Sequence, residues 1–451
     1  IANSTISDGY TGVYVREGGI AVISDSVITG HDSQGILVED GWARIDRCTI
    51  SDNLDMGVLV ASHRGTTSIR NCTIMDHTTS GVDVQTGRAI IEDCVIGNTS
   101  WAGIRFNDGT MGWTVNNTIH DSDRYGIQVN PLCTVSISNS SIHDIGDRGV
   151  WMYNASGTVR DNHIQRCGND SVYLFESPCI IEGNLLEYNG QNGIVLSERW
   201  NSWEVMIWDN TIRGNGINGI LIGTQRSSAS IGWVDGNTII ENGRTGIFIS
   251  DNITCWLGNT ELRDNGWYGV YCTERATLRW DTDEKSRVVN ETLRIRGRID
   301  IRASAEMWVE NSTVIFEEHW GWDWGEVVVQ GGSLRLTRGS LLDVAQDAPD
   351  GAYVLVKMID EGYVNVTASE LTSTNFDVRD GRFDATGSVF TSSSRSVDGA
   401  TQLAEIYIYS CTFTDGVQGV VGYEATVRII ASSFLRMDEG VNLRGCNVSG
   451  P

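Results

Sequence analysis

A phrase of the type Asn-x-Thr-Ile recurs twelve times in the first 280 residues and restricts the chain to a stacked, repetitive fold. The copies lie 22 to 27 residues apart, and each ends in isoleucine or leucine. These aliphatic residues are Ile6, Ile28, Ile50, Ile74, Ile96, Ile119, Ile142, Ile164, Leu186, Ile212, Ile239 and Leu262. A leucine-rich repeat of this period would have a leucine-dominated consensus, so the pattern predicts a β-solenoid instead.

Each copy has a polar or thiol side chain two residues before the aliphatic one, as at Cys94, Asn117 and Ser140. We expect these side chains to point into a turn and to form a ladder of hydrogen bonds. Eight or nine residues later comes a column of glycine, with Ser171 in one coil, followed by apolar residues at alternate positions. The alternation indicates short strands, and the glycines predict turns with positive φ.

The pattern Asn-Gly-x-x-Gly-Ile, with valine in the last copy, recurs at residues 189–194, 215–220, 242–247 and 265–270. With these motifs the chain resembles the right-handed parallel β-helix repeat family of the pectate-lyase-like superfamily. The resemblance implies an all-β, right-handed parallel β-helix of about 12 regular coils over residues 1–279. It leaves the function open, because this fold serves lyases, hydrolases, epimerases, adhesins and tailspikes.

The regular pattern stops after residue 279. Residues 280–310 are rich in charge and predict an irregular junction with an opening coil. The repeat resumes at residues 311–314, so we expect a second, less regular β-helical segment over residues 311–451. Both ends stop inside the repeat, which leads us to expect the processed or ordered part of a longer precursor.

The net charge of −25 at pH 7 argues against nucleic acid and anionic membranes as partners, because both require a basic surface. The sequence contains no run of 18 apolar residues, so it predicts no transmembrane helix.

Two coils carry longer loops than the rest. The gap between the glycine column and the next ladder position is 13 to 15 residues in most coils but 17 after Gly193 and 18 after Gly219. Tryptophans in such loops can stack on sugar rings, and charged groups can bind hydroxyls or carboxylates. The carbohydrate-binding candidates are Glu198, Arg199, Trp200, Trp203 and Arg226. The alternative is a decorated turn without a ligand.

Two columns of apolar residues are predicted to face outward, where a solvated sheet would be polar. They are Trp151, Tyr173, Val195, Leu221, Phe248 and Tyr271 in one strand and Met206, Trp233 and Trp256 in another. Because aliphatic residues alternate with aromatic ones, we expect protein contact here, with copies of itself or with other surface proteins, rather than polysaccharide.

A third column, four residues after the ladder, is acidic or asparagine: Asp8, Asp52, Asp76, Asn98, Asp121 and Asp144. Stacked carboxylates repel unless a cation bridges them, so calcium held by Asp76, Asp121 and Asp144 is one interpretation. The favoured alternative is that these residues form turns into the next strand. His120 and His143 flank the column and give a weaker basis for a transition metal.

The catalytic signatures of the superfamily are incomplete. Residues 125–131 resemble the Tyr-Gly-φ-Asp-Pro-His motif of alginate epimerases, but the aspartate and the histidine are missing. Lyases of this fold use a basic residue beside acidic calcium ligands. Arg105, which lies between Asp83 and Gln128 on successive coils, gives no such cluster. We therefore predict no catalytic residue and no cofactor other than calcium.

Ten cysteines and twelve Asn-x-Ser/Thr sequons complete the pattern. Cys48, Cys72 and Cys94 share the inward ladder position, so we expect most cysteines to be free and buried.

The sequons exceed the roughly five expected by chance and predict an extracellular protein with N-linked glycans. They begin at Asn3, Asn71, Asn98, Asn116, Asn139, Asn154, Asn169, Asn252, Asn290, Asn311, Asn365 and Asn447.

These features favour a glycosylated structural or adhesive protein of the cell surface, as part of an envelope, sheath or filament, which assembles through its apolar stripes. The alternative is a carbohydrate-active lyase or epimerase acting on an acidic polysaccharide. A tailspike-like receptor-binding trimer is a third interpretation. An enzyme requires acidic and basic side chains that converge on one face, whereas a structural rod requires extensive protein contacts.

Overall fold

The computed structural model describes residues 1–107, 109–198, 205–224, 232–250, 253–280, 285–316, 326–344, 353–391 and 395–448. Regular structure within these ranges is β-strand. The chain forms two compact units, Ile1–Leu221 and Ile222–Pro451, which we call unit 1 and unit 2. Within the same ranges, no helix is of the length and apolarity needed to cross a membrane.

Unit 1 is built from three series of strands. Sheet 1 takes the strand after each ladder position: Thr5–Ser7, Val27–Thr29, Thr49–Ser51, Thr73–His77, Val95–Thr99, Thr118–Ser122, Ser141–His143, His163–Gln165, Leu185–Glu187 and Thr211–Arg213. Sheet 2 takes the strand after the glycine column: Val13–Val15, Ile36–Glu39, Ala102–Phe106, Tyr125–Val129, Arg148–Tyr153, Val172–Phe175, Ile194–Glu198 and Asn218–Thr224. Sheet 3 takes the strand before the next ladder position: Ile20–Ser24, Trp42–Asp46, Met111–Val115, Thr134–Ser138, Ser156–Arg160, Cys179–Glu182 and Val205–Trp208. Val58–Arg70 and Ser80–Glu92 run through sheets 2 and 3.

Equivalent strands of successive coils pair in parallel and in register. In sheet 1, Ile6 lies opposite Ile28, and Ile28 lies opposite Ile50. From Ile28 to Ile212, the aliphatic residue of every copy is fully buried. A stack of isoleucine side chains therefore fills the core of unit 1, and the parallel β-helix predicted from the repeat is confirmed.

Side chains at the ladder position accept hydrogen bonds from buried backbone N–H groups in the turn before sheet 1. The backbone N–H of Cys94 donates to Oδ1 of Asn117 (2.9 Å), and that of Asn117 donates to Oγ of Ser140 (3.1 Å). The N–H of Ser140 in turn donates to Oδ1 of Asn162 (3.0 Å). Each coil thus supplies the acceptor for a buried donor of the preceding coil, which is how a buried turn remains stable.

The glycine column serves close packing, and the prediction of positive φ at these glycines is wrong. A Cβ on Gly126 would lie 2.5 Å from Cγ2 of Ile142 and 2.6 Å from the carbonyl oxygen of Gly149. Only glycine leaves room for the isoleucine of the next coil. The left-handed conformation occurs instead at turn residues such as Asp93 (φ 57°) and Asn116 (φ 56°), since short polar side chains tolerate it.

Unit 2 repeats the three-sheet plan. Its sheet 1 strands are Thr238–Ile240, Glu261–Arg263, Lys285–Val289, Glu306–Glu310, Ser333–Thr337, Gly362–Thr367, Gly381–Thr386, Ala404–Tyr409, Thr426–Ile430 and Asn447–Val448. Its sheet 2 strands are Thr245–Ile249, Thr313–Phe316, Leu341–Val344, Glu370–Thr372, Val389–Thr391, Thr412–Thr414 and Ser433–Leu435. Its sheet 3 strands are Gly232–Asp235, Thr254–Gly258, Glu326–Gln330, Val354–Ile359, Thr374–Val378, Arg395–Gly399, Gln418–Tyr423 and Glu439–Arg444. Tyr268–Trp280 and Thr292–Arg302 run through sheets 2 and 3.

Parallel pairing continues through the predicted junction. Tyr268–Trp280 pairs with Thr292–Arg302 through sheets 2 and 3, and Lys285–Val289 pairs with both Glu261–Arg263 and Glu306–Glu310 in sheet 1. Strands therefore recur beyond the coils recognised in the sequence. The boundaries predicted at residues 279 and 311 remain a sequence prediction.

A second ladder of turn side chains follows sheet 1. It explains why the repeat copy at residues 311–314 is out of step with the earlier copies. In unit 2 the N–H of Asn242 donates to Oδ1 of Asn265 (3.1 Å), and that of Asn265 donates to Oε1 of Glu291 (2.8 Å). The N–H of Glu291 donates to Oγ of Ser312 (3.0 Å). Ser312, in the copy at residues 311–314, thus belongs to this second ladder, whereas Thr260 belongs to the first.

The cysteines pack as predicted. All ten are free, and nine of them are buried. Sγ of Cys94 donates to the backbone oxygen of Glu92 at 3.2 Å, so the thiol occupies the ladder position as a small, weakly polar group.

Candidate functional site

The outer surface of sheet 2 in unit 1 carries a row of side chains two residues after the glycine column. In pairing register the row consists of Asp83, Arg105, Gln128, Trp151 and Tyr173. Its aromatic half is part of the predicted interface stripe. Its polar half is Asp83, Arg105 and Gln128, which we did not expect from the sequence to form a cluster. The structure places these three residues beside the aromatic half on one face.

Asp83 is the electrostatic centre of this row. Its side chain is 0% exposed, its Oδ1 accepts a hydrogen bond from Nδ2 of Asn107 (2.6 Å), and its Oδ2 lies 3.4 Å from Nε of Arg105. Burial raises the pKa of Asp83 to about 6, although the charge of Arg105 opposes the rise. A carboxyl group with this pKa can hold or release a proton near neutral pH.

A chain of side-chain hydrogen bonds connects Asp83 to the aromatic half. Nε1 of Trp101 donates to Oε1 of Gln128 (2.6 Å), and Nε2 of Gln128 donates to Oδ1 of Asn130 (2.9 Å). Nδ2 of Asn130 then donates to Oδ1 of Asn107 (2.8 Å), the residue that donates to Asp83. The chain fixes the orientation of each amide, so the polar groups are positioned before a ligand arrives.

The aromatic rings pack against one another across coils. The ring of Trp151 stacks on that of Tyr125 at 4.9 Å and on that of Tyr153 at 6.2 Å. Trp101 meets Tyr125 edge-on at 6.1 Å. Tyr153 is 39% exposed, so part of this surface is open to a ligand. We call the whole surface the polar–aromatic face, made of Asp83, Trp101, Arg105, Asn107, Tyr125, Gln128, Asn130, Trp151, Tyr153 and Tyr173.

The other residues predicted to form interfaces are also half-buried on outer surfaces, except Val195, which is buried. In unit 1, Leu221 lies on sheet 2 and Met206 on sheet 3. In unit 2, Trp233 stacks on Trp256 at 5.0 Å, and Phe248 meets Tyr271 edge-on at 5.3 Å. These rings cover one another, and a protein partner on the stripes remains a prediction.

The acidic column agrees with the turn interpretation. Asp76, Asp121 and Asp144 have φ of 64°, 49° and 57°, which is the left-handed conformation that tight turns use. Asp144 directly follows the strand Ser141–His143, whereas Asp76 and Asp121 bend the chain within the strands Thr73–His77 and Thr118–Ser122. Arg166 binds both oxygens of Asp144 (2.7 and 2.8 Å) and, with His143, holds the pKa of that carboxyl well below its usual range. In the part of the chain that the structure describes, His, Cys, Asp and Glu form no group of three that could hold a metal ion. Calcium here remains a sequence prediction.

The two histidines beside this column stack on each other. The rings of His120 and His143 lie 5.5 Å apart and nearly parallel, and Nδ1 of each is 2.7 Å from the carboxylate of the following aspartate. Each imidazole is thus oriented by its neighbour in the chain.

The predicted carbohydrate-binding loops lie outside the described residues. This concerns Arg199, Trp200, Trp203 and Arg226, together with the side chain of Glu198. Their role remains a prediction.

Eight of the sequon asparagines are exposed and have a left-handed backbone conformation, in line with the outward orientation expected from the sequence. They are Asn3, Asn71, Asn98, Asn116, Asn139, Asn154, Asn290 and Asn311. Asn169 and Asn365 are half-buried, while Asn252 and the side chain of Asn447 lie outside the described residues.

Of the polar–aromatic face, the sequence predicted only Trp151 and Tyr173 as site residues. Asp83, Arg105 and Gln128 were not expected to form a cluster, and Tyr125 and Asn130 lie in the incomplete epimerase-like motif. Trp101, Asn107 and Tyr153 carried no prediction. A signal was present, because Asn107, Asn130 and Tyr153 each lie four residues after a glycine of the column, at the next outward position of the strand. Reading two outward positions together would have shown the amides beside Arg105.

Comparisons with known proteins agree with the architecture. A family model described as a right-handed beta helix region matches residues 1–129 and 109–249. No curated protein sequence matches the chain. Among solved structures, the chain is similar to the A-module of the mannuronan C-5 epimerase AlgE6 of Azotobacter vinelandii, with 14% identity over 92% of this chain and 91% of that one and a TM-score of 0.34.

Two further structures show the same level of likeness. The alginate lyase AlyGC of family PL6 is 8% identical over 99% of this chain and 96% of its own, with a TM-score of 0.24. The tailspike protein of Escherichia coli bacteriophage HK620 is 10% identical over 99% of this chain and 73% of its own, with a TM-score of 0.29. At TM-scores below 0.5 these likenesses carry no argument about this chain. With its parallel, in-register coils and a family match over more than half of its length, the chain belongs to the right-handed β-helix family.

Proposed function

We propose that this protein is an extracellular adhesive β-helix whose polar–aromatic face binds an acidic polysaccharide. The supporting observation is the row of Arg105, Gln128, Trp151 and Tyr173, which crosses four successive coils in register. Neighbouring strands lie about 4.8 Å apart, so the row offers a regular series of contacts to an extended ligand. A chain of sugar rings has this form.

Each group on the face matches a part of an acidic sugar. The rings of Trp151 and Tyr153 can stack on pyranose faces, and the half-exposed amides of Asn107 and Asn130 can bind hydroxyls. The guanidinium of Arg105 can bind a carboxylate through paired hydrogen bonds. A protein partner would favour a continuous apolar surface, so the polar half of the row favours carbohydrate here.

The test is calorimetric titration of the full chain with oligouronates of defined length and with their carboxyl-reduced counterparts. We expect Trp151→Ala to weaken binding of the acidic ligand at least tenfold and Arg105→Gln to remove the preference for it over the reduced one. The matched control is Trp113→Ala, because Trp113 is 38% exposed on sheet 3, outside the face. Equal affinities for the parent and all variants, or no uronate binding at all, would rule the proposal out.

Asp83 favours a second function, that of a lyase or epimerase acting on the same class of polymer. The pKa of about 6 means that the Asp83 carboxyl group can exchange a proton near neutral pH. Asp83 itself is buried, so the half-exposed Arg105 beside it is the group that would face the C5 proton and the carboxylate of a substrate. The reaction would begin with removal of the proton at C5 of a uronate. Incubation with oligouronate in D2O, followed by NMR, reads out deuterium at C5 for an epimerase and an unsaturated end for a lyase. Asp83→Asn should abolish either signal, and unchanged oligouronate after incubation with the parent protein would leave binding alone.

We propose in addition that the protein is exported, carries N-linked glycans, and assembles with copies of itself or with other surface proteins. The exposed sequon asparagines support export and glycosylation. The stripe residues outside the polar–aromatic face, such as Leu221 and Met206, support a protein contact. Cryo-electron microscopy of the natively isolated protein tests this: subunits in contact through these residues are expected, and isolated subunits would contradict assembly.

A further inference from the structure

A surface pocket with a volume of about 430 Å³ lies on the outer side of sheet 1 in unit 2. Its polar lining consists mainly of Asn365, Arg382, Asp384, Tyr407, Tyr409 and Arg428. Four of these form one row in pairing register, with Asn365 opposite Asp384, Asp384 opposite Tyr407, and Tyr407 opposite Arg428. The concavity therefore spans four coils and is formed by rigid strands. We call it the sheet 1 pocket.

The acidic group in the pocket is already neutralised. Nε of Arg382 donates to both oxygens of Asp384 (2.9 and 3.0 Å), and the hydroxyl of Tyr363 donates to Oδ2 (3.0 Å). The guanidinium of Arg382 also lies 4.5 Å from the ring centre of Tyr407. Asp384 is thus fixed as a hydrogen-bond acceptor whose charge is compensated, and it does not repel an anion.

Arg428 is the available charge. Arg428 is exposed, and within the described residues its side chain forms no ion pair or hydrogen bond. Tyr409, at the edge of the same pocket, is 52% exposed. An unpaired guanidinium beside an open aromatic ring gives an anionic ring compound two simultaneous contacts.

Asn365 differs from the sequon asparagines that lie in exposed turns. It sits within the strand Gly362–Thr367 and is half-buried on the pocket floor. Its Nδ2 donates to the hydroxyl of Tyr363 (3.1 Å), and its Oδ1 accepts from Oγ1 of Thr367 (2.9 Å), which is the threonine of the sequon. Both ends of the amide are thereby held by side chains of the same strand, and the threonine is turned toward the asparagine.

We infer that the sheet 1 pocket is a binding site for a single uronate residue of a saccharide. Arg428 binds the carboxylate, the ring of Tyr409 stacks on the sugar, and Asn365 with Asp384 binds hydroxyls. Asn365 serves the pocket and carries no glycan. This site is separate from the polar–aromatic face and does not depend on the function proposed for that face.

The first test titrates the full chain with sodium glucuronate and sodium galacturonate, with glucose as the neutral comparison, and follows the ligands by saturation-transfer NMR. We expect binding of a uronate and a loss of affinity of at least tenfold in Arg428→Gln, with partial recovery in Arg428→Lys. Arg444→Gln is the matched control, because Arg444 is an arginine of the same unit that lies over Tyr423 outside the pocket. The titrations are repeated in an Arg105→Gln background, which removes uronate binding by the polar–aromatic face, so that the loss caused by Arg428→Gln belongs to the sheet 1 pocket alone.

Three outcomes of the titrations would overturn the inference. The first is that neither uronate binds at millimolar concentration, and the second is that glucose binds as tightly as the uronates. The third is that Arg428→Gln, with the same melting temperature as the parent, retains full affinity. Peptide mass spectrometry of the natively isolated protein gives an independent readout, for which we expect an unmodified Asn365, and a glycan there would likewise overturn the inference.

Discussion

At the scale of single residues, Glu291 stands out because it occupies a ladder position between Asn265 and Ser312. Its side chain is 4% exposed, and its Oε1 accepts from the backbone N–H (2.8 Å) and Nδ2 (2.7 Å) of Asn265. These hydrogen bonds favour the carboxylate, but burial costs more and raises the pKa of Glu291 to about 7. The folded protein therefore retains a proton that the unfolded chain releases from about pH 4.5 upward.

This pKa gives a stability prediction with a definite sign. The contribution of Glu291 is fully present below the unfolded pKa of 4.5 and is lost as the pH rises to about 7. Glu291→Gln keeps the acceptor without the charge, so it should stabilise the protein at pH 8 by an amount on the order of 3 kcal/mol at most. Urea unfolding at pH 8 and pH 4.5 measures this, with Glu261→Gln on the outer side of sheet 1 as the control. A gain of equal size at both pH values would contradict the prediction.

At the scale of strands and turns, the glycine column decides how closely coils approach. Gly126→Ala would push a Cβ to 2.5 Å from Cγ2 of Ile142. We expect it to lower the free energy of unfolding by about 1–3 kcal/mol, which is typical of overpacking. Gly9→Ala is the control, because its Cβ would meet no atom closer than 3.4 Å. Denaturant unfolding compares the two, and a harmless Gly126→Ala would show that the column has another role.

The sequence predicts those parts of the architecture that repeat. The alternation of apolar and polar residues after each glycine identifies the strands. The isoleucine or leucine that every copy of the repeat has at the same position identifies the core and the parallel stacking, because the pattern recurs in each coil. The sequence could not distinguish a glycine that is needed for close packing from one that is needed for positive φ, since both produce a column of glycines. It also could not show that the copy at Ser312 lies in the second ladder, because the two ladders use the same residue types.

The polar–aromatic face was hidden for a different reason. Asp83 and Gln128 are separated by two coils, and only the pairing register makes them neighbours on either side of Arg105. The hydrogen-bond chain and the pKa of Asp83 depend further on which side chains bury the carboxyl group. Sequence spacing gives the column in which a residue lies but not the burial that results from contacts between columns.

At the scale of the whole molecule, the burial of the cysteines predicts that their thiols react slowly with external reagents. Nine of the ten cysteines are buried, and burial raises the pKa of the Cys179 thiol to about 12 and that of Cys272 well above its usual range. A thiolate is the reactive form. We expect a thiol-specific reagent to label at most Cys446 rapidly in the native protein and all ten cysteines after denaturation. Rapid labelling of several native thiols would contradict the buried ladder.

Glycan placement is a second prediction at this scale. The exposed asparagines with a left-handed backbone, such as Asn139 and Asn154, are expected to carry glycans in the natively isolated protein. Asn169 is the internal contrast, because its Nδ2 donates to Asp147 (2.5 Å) and its Oδ1 accepts from Gln191 (2.6 Å). Glycopeptide mass spectrometry should find these exposed sites occupied and Asn169 bare. Bare asparagines at the exposed sites would remove the support for export.

The second ladder is also present in unit 1, where the N–H of Asn189 donates to Oδ1 of Asn215 (3.2 Å), and it affects the chemical ageing of the protein. Asparagine followed by glycine normally deamidates fastest, because the glycine nitrogen attacks the asparagine side chain. In unit 1, Asn189 and Asn215 are buried, and the N–H groups of Gly190 and Gly216 donate to carbonyl oxygens of the preceding coil at 2.8 Å. Attack at either pair requires that bond to break first. The stacking of coils therefore shields these asparagine–glycine pairs from the slow hydrolysis that limits the lifetime of proteins without turnover.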